Sequence, residues 1–386
     1  MKWMDCMEIF ILILGIGYIL FLFFESYQNN KSRRRLLHVI HVNGTRGKSS
    51  TTRLIDAALR GGDLKIFSKT TGTRPMTIDV NGVENLIKRK GRANIKEQIS
   101  TIRQAASQGA DILIVECMAV NPELQRISQE KILKADIAIV TNARRDHLEV
   151  MGPRLKDVAL SLGSIMPVEG YFFTGERNYI DVYRDHGSKK KTKVYLAEEL
   201  EDDYGIDFKD NVSIALEVCK LFNIDRDLAL DRMRAYKKDP GALKTYDIKN
   251  CLNKTIFFIN GFAINDPDSI LIVYENIKNL GHINRKKMYL LINNRGDRGF
   301  RVNQHIEVAI KINPDKVLIT GSYTGLMMKN LLKEGFSSDK LQILKGPILS
   351  ELDLIKEDAV LFAIGNMGGK GEQIIKDIER SGEVYV

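Results

Sequence analysis

The chain has 386 residues, 44% of them apolar and 28% charged, which excludes a disulfide mini-scaffold and a globally disordered polymer. Lysine and arginine outnumber aspartate and glutamate 58 to 49, a net charge of +9, so an anionic partner suits it, whether nucleotide, polyacid, lipid surface or nucleic acid. Cys6, Cys117, Cys219 and Cys251 form no CxxC pair and no zinc spacing, and reduced thiols in a cytosolic domain are the simplest reading.

The first element is the run Ile9–Phe24, sixteen residues without a charge. With its flanks it approaches the roughly 20 residues of a membrane-spanning helix. The sequence YQNNKSRRR that follows has no small-residue cleavage site but carries Lys31, Arg33, Arg34 and Arg35. The positive-inside rule then puts the C-terminal side in the cytoplasm and the anchor in the cell membrane.

Beyond Leu36, short apolar runs alternate with amphipathic stretches. Strands are expected at 37–42, 111–116, 136–141, 171–174, 255–260, 288–293, 316–320 and 360–364, and helices at 50–60, 95–107, 212–221 and 268–280. The alternation predicts an α/β fold with a parallel sheet covered on both faces. The lysine run at 189–193 reads as a solvated loop. The turn Asp239-Pro240-Gly241 reads as a boundary, which divides the chain into an anchor (1–35), a first α/β domain (36–238) and a smaller second one (239–386).

The sharpest motif is HVNGTRGKSSTT at 41–52. A buried strand runs into a glycine loop, then into Lys48, Ser49 and a helix. Loop amides and a helix start favour phosphate, Lys48 adds a charge, and the Ser49 hydroxyl can reach Mg²⁺. The strict pattern GxxxxGK[ST] needs glycine at position 42, where Val42 stands, so this is a shortened loop. Asn43, Gly44, Thr45, Arg46, Gly47, Lys48, Ser49 and Ser50 are the expected ATP contacts.

Two more strands should end on the same sheet edge, where open α/β sheets bind ligands. One ends at Glu116; the other leads to Asn142, Asp146 and His147. Glu116 and Ser49 suit Mg²⁺, whereas His147 suits a second, softer metal position or a hydrogen bond to phosphate. A GTPase signature Asn-Lys-x-Asp, a nucleophile elbow and HExxH are all missing. Nothing beyond net charge speaks for nucleic acid.

At these residues the chain resembles the Mur ligase superfamily, which includes folylpolyglutamate synthases. NGTRGKSS resembles its Gly-Thr-x-Gly-Lys-[Ser/Thr] loop, Glu116 its Mg²⁺-binding glutamate, and TNARRDHLEVMG (141–152) its segment with a metal-binding His. Asn211 with Ala215 and Leu216 resembles the helix before its domain junction. INGFAINDPDSI (259–270), Asn293 and Gly296-Asp297-Arg298 resemble its second nucleotide face. Within the superfamily, KTTGTRP (69–75), VECMAVNPE (115–123), TNARRDHLEVMGP (141–153) and AIGNMGGKGE (363–372) are similar to the membrane-anchored ligases of poly-γ-glutamate synthesis, the PgsB/CapB type.

The resemblance implies an ATP-dependent amide ligase working through an acyl phosphate, with small membrane subunits as partners, and leaves homo-oligomerisation open. It assigns Lys48, Glu116 and His147 to catalysis, and Ser49, Glu116 and His147 to metal. Asn265, Asp266, Asn293 and Arg298 join the nucleotide contacts. Glutamate and a growing polyanion would be drawn by a basic lane from Lys69, Arg74, Lys88, Arg89, Lys90, Arg92, Arg144 and Arg145, with Arg74, Arg144 and Arg145 as substrate contacts. Departures are Leu162 where Mur ligases carry a carbamoylated Lys, Ala242 for the linker Arg, Ile264 or Asn265 for a His, and no UDP-binding domain. A folylpolyglutamate synthase-like ligase and a tethered P-loop ATPase without ligase activity remain the other two readings.

Overall fold

A computed structural model describes residues 6–72, 74–89, 91, 93–202, 204–239, 243–279, 281 and 286–385. Lys90, Arg92, Pro240, Gly241, Ala242 and Leu280 lie outside them. The chain is α/β and divides into two compact units, Met1–Ala143 with His147–Lys238, and Arg144–Asp146 with Asp239–Val386.

The first unit opens with α1 (Cys6–Arg33), a helix long and apolar enough to cross a membrane. Its 28 residues extend about 42 Å, more than a hydrocarbon core of about 30 Å requires. The surplus docks on the domain. Asn29 Nδ2 donates to the Ile132 carbonyl (2.9 Å), and Arg33 donates to the carbonyls of Leu133 and Lys134 and to Asp136 Oδ2 (2.7 Å).

Eight strands follow: β1 (His38–Asn43), β2 (Ile66–Thr70), β3 (Met76–Ile78), β4 (Glu84–Leu86), β5 (Ile112–Glu116), β6 (Ile137–Val140), β7 (Tyr171–Thr174) and β8 (Lys193–Leu196). Their order is β4-β3-β2-β5-β1-β6-β7-β8. The sheet is parallel from β2 to β8, with β3 and β4 added antiparallel at one edge. Because β1 lies between β5 and β6, with Val42 opposite Glu116 and Asn43 opposite Val140, three carboxyl ends meet at one edge. Asp136, which holds α1, precedes β6 at the other edge, about 20 Å away by strand rise.

β2 escapes sequence reading because Ser68, Lys69 and Thr70 are polar yet fully buried. Ser68 Oγ donates to Asp56 Oδ1 (2.5 Å), and Lys69 Nζ pairs with Glu97 (3.2 Å) on α2 and α3, which span Lys48–Leu59 and Glu97–Ser107 respectively. The lysine run at 189–193 is not a loop throughout. Lys189 and Lys190 end a helix begun at Ile180, and Lys193 opens β8, since a strand edge and a helix end both tolerate solvated ammonium groups.

The second unit has a seven-stranded sheet in the order β13-β12-β11-β14-β10-β9-β15. Its strands are β9 (Lys244–Lys249), β10 (Thr255–Gly261), β11 (Lys287–Asn294), β12 (Lys316–Gly321), β13 (Leu341–Ile343), β14 (Ala359–Gly365) and β15 (Glu383–Tyr385). β9 and β15 are antiparallel additions to a parallel core. β10, β11, β12 and β14 are apolar on both faces, and helices cover both, as buried parallel strands require.

Candidate nucleotide and metal site

The loop between β1 and α2 is held by the first residues after β6. Thr45 N–H donates to the Asn142 carbonyl (3.0 Å) and Arg46 N–H to Asn142 Oδ1 (3.1 Å). Thr141 Oγ1 (2.5 Å) and Asn142 Nδ2 (3.1 Å) donate in return to the Arg46 carbonyl. Gly44 has φ +133°, and a Cβ there would overlap Thr141 Oγ1 and sit 2.9 Å from its backbone nitrogen. Gly47 has φ +81° directly before α2, where a Cβ would overlap Asn211 Oδ1. Only glycine fits either position.

Lys48 Nζ folds back onto the loop and donates to the carbonyls of Gly44 (2.7 Å) and Thr45 (3.3 Å). Ser49 Oγ donates to Glu116 Oε2 (2.8 Å), and Thr71 N–H donates to the same oxygen (2.6 Å). Glu116 is 2% exposed. Hydroxyl and carboxylate are hard oxygen donors of the kind a divalent cation takes beside phosphate oxygens, so these residues fit a metal held partly by nucleotide. No group of three or more His, Cys, Asp or Glu gathers among the described residues, so a cage built from such side chains is not on offer there.

The other expected contacts are placed as follows. Asn43 is buried, its amide donating to Gln125 Oε1 (2.7 Å) and the Leu162 carbonyl (3.2 Å). Ser50 lies in the first turn of α2, half-buried. His147 adopts a left-handed backbone, φ +51°, before a short helix, with Nδ1 3.3 Å from Glu149 Oε1. Leu162 is fully buried among Ala138, Val140, Val158 and Phe172, so the position of the missing lysine is filled by core packing.

Arg74 is exposed in the turn between β2 and β3, three residues after the amide that holds Glu116. Lys69 is no surface charge. It is wholly buried, its ammonium within 3.2 Å of Glu97 and 3.3 Å of Gln98 Oε1. Burial pushes the Lys69 pKa down against the attraction of Glu97. Burial works to raise the Glu97 pKa, but hydrogen bonds from Arg89 and Lys69 hold it below its usual value. Lys69 and Arg89 therefore organise Glu97 rather than line an open basic lane; Lys88 is exposed.

In the second unit, Arg145 bridges Asp268 (2.7 Å) and Glu307 (3.2 Å), which hold its guanidinium charged, and Arg144 Nη1 donates to Ser269 Oγ (2.6 Å). Asp266 is fully buried and accepts the Ser269 N–H (2.8 Å), capping the helix Pro267–Asn279. Asn265 Nδ2 donates to the Ala263 carbonyl (3.1 Å), leaving its buried Oδ1 without a hydrogen-bond partner among the described residues. Asn293 Nδ2 donates to the carbonyls of Asn366 (2.5 Å) and Gly368 (3.2 Å), fixing the glycine loop after β14. Arg298 is half-buried in a 3₁₀ turn, Gly296–Arg298. Sequence reasoning did not foresee Thr71 as the second donor to Glu116, or the Lys69–Glu97–Arg89 cluster. A polar triplet at the end of an otherwise apolar strand was the one signal for the latter.

A family model described as the Mur ligase middle domain matches residues 42–212, and one described as the poly-gamma-glutamate synthase CapB C-terminal domain matches 245–381. The capsule biosynthesis protein CapB of Bacillus anthracis is 31% identical over 383 residues, covering 95% of this chain and 82% of that one. The PGA synthase CapB of Bacillus subtilis (strain 168) is 31% identical over 382 residues, covering 95% of each. Among solved structures, Mycobacterium tuberculosis folylpolyglutamate synthase complexed with ADP superposes with a TM-score of 0.66 at 13% identity, over 96% of this chain and 99% of that one. The Yersinia pestis bifunctional folylpolyglutamate synthase/dihydrofolate synthase complexed with AMPPNP and Mn ion gives 0.64 at 10% identity over 91% of each. These two likenesses are of fold.

Proposed function

The chain belongs to the CapB family of poly-γ-glutamate synthases, built on the Mur ligase fold, and from that premise we propose that it is the ATP-dependent, ADP-forming ligase that adds glutamate to a growing poly-γ-glutamate chain in capsule or exopolymer synthesis. The observation that carries the reading is the loop Gly44–Ser49 at the end of β1, with Ser49 bonded to the Glu116 carboxylate. Residues 36–238 act as the ATP-binding domain and 239–386 as the C-terminal domain. Residues 1–35 anchor both to the cell membrane on the cytoplasmic side, beside small membrane subunits of the synthase.

In the first step a carboxylate oxygen of the acceptor bonds to the γ-phosphorus of ATP as the bond to ADP breaks. In the second, the amine of the next substrate bonds to the acyl carbon, the C–O bond to phosphate breaks, and a proton is released. The protein needs no nucleophile; it aligns anions and offsets their charge. The amides of Gly44–Ser49 face the phosphates, and the Lys48 ammonium leaves its loop carbonyls for β/γ oxygens. Ser49 and Glu116 would hold Mg²⁺, which when bound neutralises charge developing on the phosphates. Thr71 N–H keeps the Glu116 carboxylate oriented toward Ser49. Arg74 steers the acceptor carboxylate, and His147 would ligate a metal or position the acyl phosphate. Asn265 and Arg298 contribute to ATP, while Asp266 caps the helix after Asn265 and Asn293 fixes the glycine loop after β14.

The test is chemical trapping. With Mg-ATP and a short γ-glutamyl acceptor, hydroxylamine in place of glutamate should yield a γ-glutamyl hydroxamate together with ADP. Formation of AMP and pyrophosphate, or ADP with no hydroxamate, would overturn the acyl-phosphate route.

A further inference from the structure

At the foot of α1 a cavity of about 200 Å³ opens between the helix and α3 of the first unit, lined by Gln28, Lys31, Ser32, Arg35, Arg103 and Ala106 with Ser107 at its rim. Gln28, Lys31 and Ser32 follow the i, i+3, i+4 spacing of one face of α1, and Arg35 joins the cleft from the turn just past the helix end. Arg103 reaches the same space from α3. The neighbouring face, Asn29 and Arg33, carries the docking bonds to Ile132, Leu133, Lys134 and Asp136. Lys96 pairs with Glu25 (3.7 Å), and Lys134 donates to Asn30 (2.8 Å). The cleft is therefore fixed in orientation to the apolar helix rather than carried on a loose linker.

Three cations converge there, yet among the described residues Lys31, Arg35 and Arg103 have no carboxylate within ion-pair distance, in contrast to Arg33 beside them. Ser32, Ser107 and Gln28 add hydrogen-bonding groups. By helix rise, Gln28 lies about 6 Å and Lys31 about 10 Å beyond Phe24, the last residue of the apolar run, which is the depth of the phosphate layer under a hydrocarbon core. Long basic side chains extend toward that layer.

We propose that this cleft binds the phosphate headgroup of an anionic phospholipid in the cytoplasmic leaflet. The inference rests on the membrane-anchored reading. The ligand chemistry is a phosphate ester anion; the source is the lipid, because the cleft stands at the membrane end of the molecule, one strand length from the edge that carries the nucleotide loop.

Full-length protein in nanodiscs of equal phosphatidylglycerol and phosphatidylcholine, examined by native mass spectrometry, tests it. The protein should retain phosphatidylglycerol in preference, and Arg35→Ala and Arg103→Ala should each lower that preference about fivefold. Arg34→Ala removes the same charge one residue away, outside the cleft, and should leave it unchanged. An equal loss from Arg34→Ala, or none from Arg103→Ala, would mean diffuse attraction and overturn the site. Displacement of the lipid by millimolar inorganic phosphate would overturn the lipid as its source. Flotation with pure phosphatidylcholine vesicles separates the premises: if the protein floats but shows no phosphatidylglycerol preference, the cleft proposal alone falls. If it does not float, the anchored reading and the cleft proposal fall together.

Discussion

Glu116 offers a separation between structural and functional roles. Its Oε2 accepts from both Ser49 Oγ and Thr71 N–H, and the residue is 2% exposed. Glu116→Ala leaves the half-buried Thr71 amide and Ser49 hydroxyl without their acceptor, at about 1 kcal/mol each. The sum of ~2 kcal/mol lowers the melting temperature of a unit of this size by roughly 4–8 °C. Glu116→Gln keeps the shape and an acceptor oxygen for Thr71 but removes the charge that a divalent cation requires. Its melting temperature should stay within about 2 °C of the parent, while turnover falls on the order of 10²–10³-fold. Thermal denaturation and ADP release across a Mg²⁺ titration read the two effects independently. Near-parental turnover of Glu116→Gln at saturating Mg²⁺ would refute the assignment of Glu116 to the metal.

Lys48→Ala should lower ADP release about 10²–10³-fold, a loss read against the parent's melting temperature; the ammonium donates to the loop carbonyls of Gly44 and Thr45. Gly44→Ala forces a side chain into a φ of +133° and onto Thr141, and should weaken ATP binding about tenfold or more by calorimetry. Glu97→Gln strands the buried Lys69 ammonium and should cost about 3–5 kcal/mol in denaturant unfolding. Lys69→Met, which leaves Glu97 with Arg89, should cost clearly less, and the opposite order would contradict the cluster. His41 is wholly buried, and burial lowers its pKa from 6.5 to about 4 despite the hydrogen bond to Gln129. The unfolded chain therefore binds the extra proton between those values. The His41 contribution to stability should fall by about 3 kcal/mol as pH drops from ~6.5 to ~4, and His41→Gln should remove that part of the slope in a pH series of unfolding curves, while buried His305, its pKa also lowered, keeps a slope of the same sign.

The parallel core was legible because its strands are apolar on both faces and end in turn or charge signals. Eight strand positions and the helices after the phosphate loop and before Gln108 follow from periodicity alone. β2 was not legible: its last three residues are polar, and the burial of Ser68 and Lys69 rests on Asp56, Glu97 and Gln98, which lie outside the strand in sequence. The short strands β3, β4, β13 and β15, at or next to a sheet edge, carry three residues each, too few for any period to register. At the site, the glycine loop announced itself through residue type and spacing. The side chains that close it, Thr141 and Asn142, matter through backbone hydrogen bonds that no spacing specifies. Arg144 and Arg145 looked available as charges in a loop; their partners Ser269, Asp268 and Glu307 lie more than a hundred residues away.

The most direct test of the ligase assignment uses membranes carrying the full-length protein with its partner subunits, Mg-ATP and labelled glutamate, and follows ADP and acid-insoluble label together. One ADP should appear for each glutamate incorporated, both should require glutamate, and both should vanish with Lys48→Ala. ADP formed at the same rate without glutamate, and no polymer, would contradict ligation and leave a tethered ATPase.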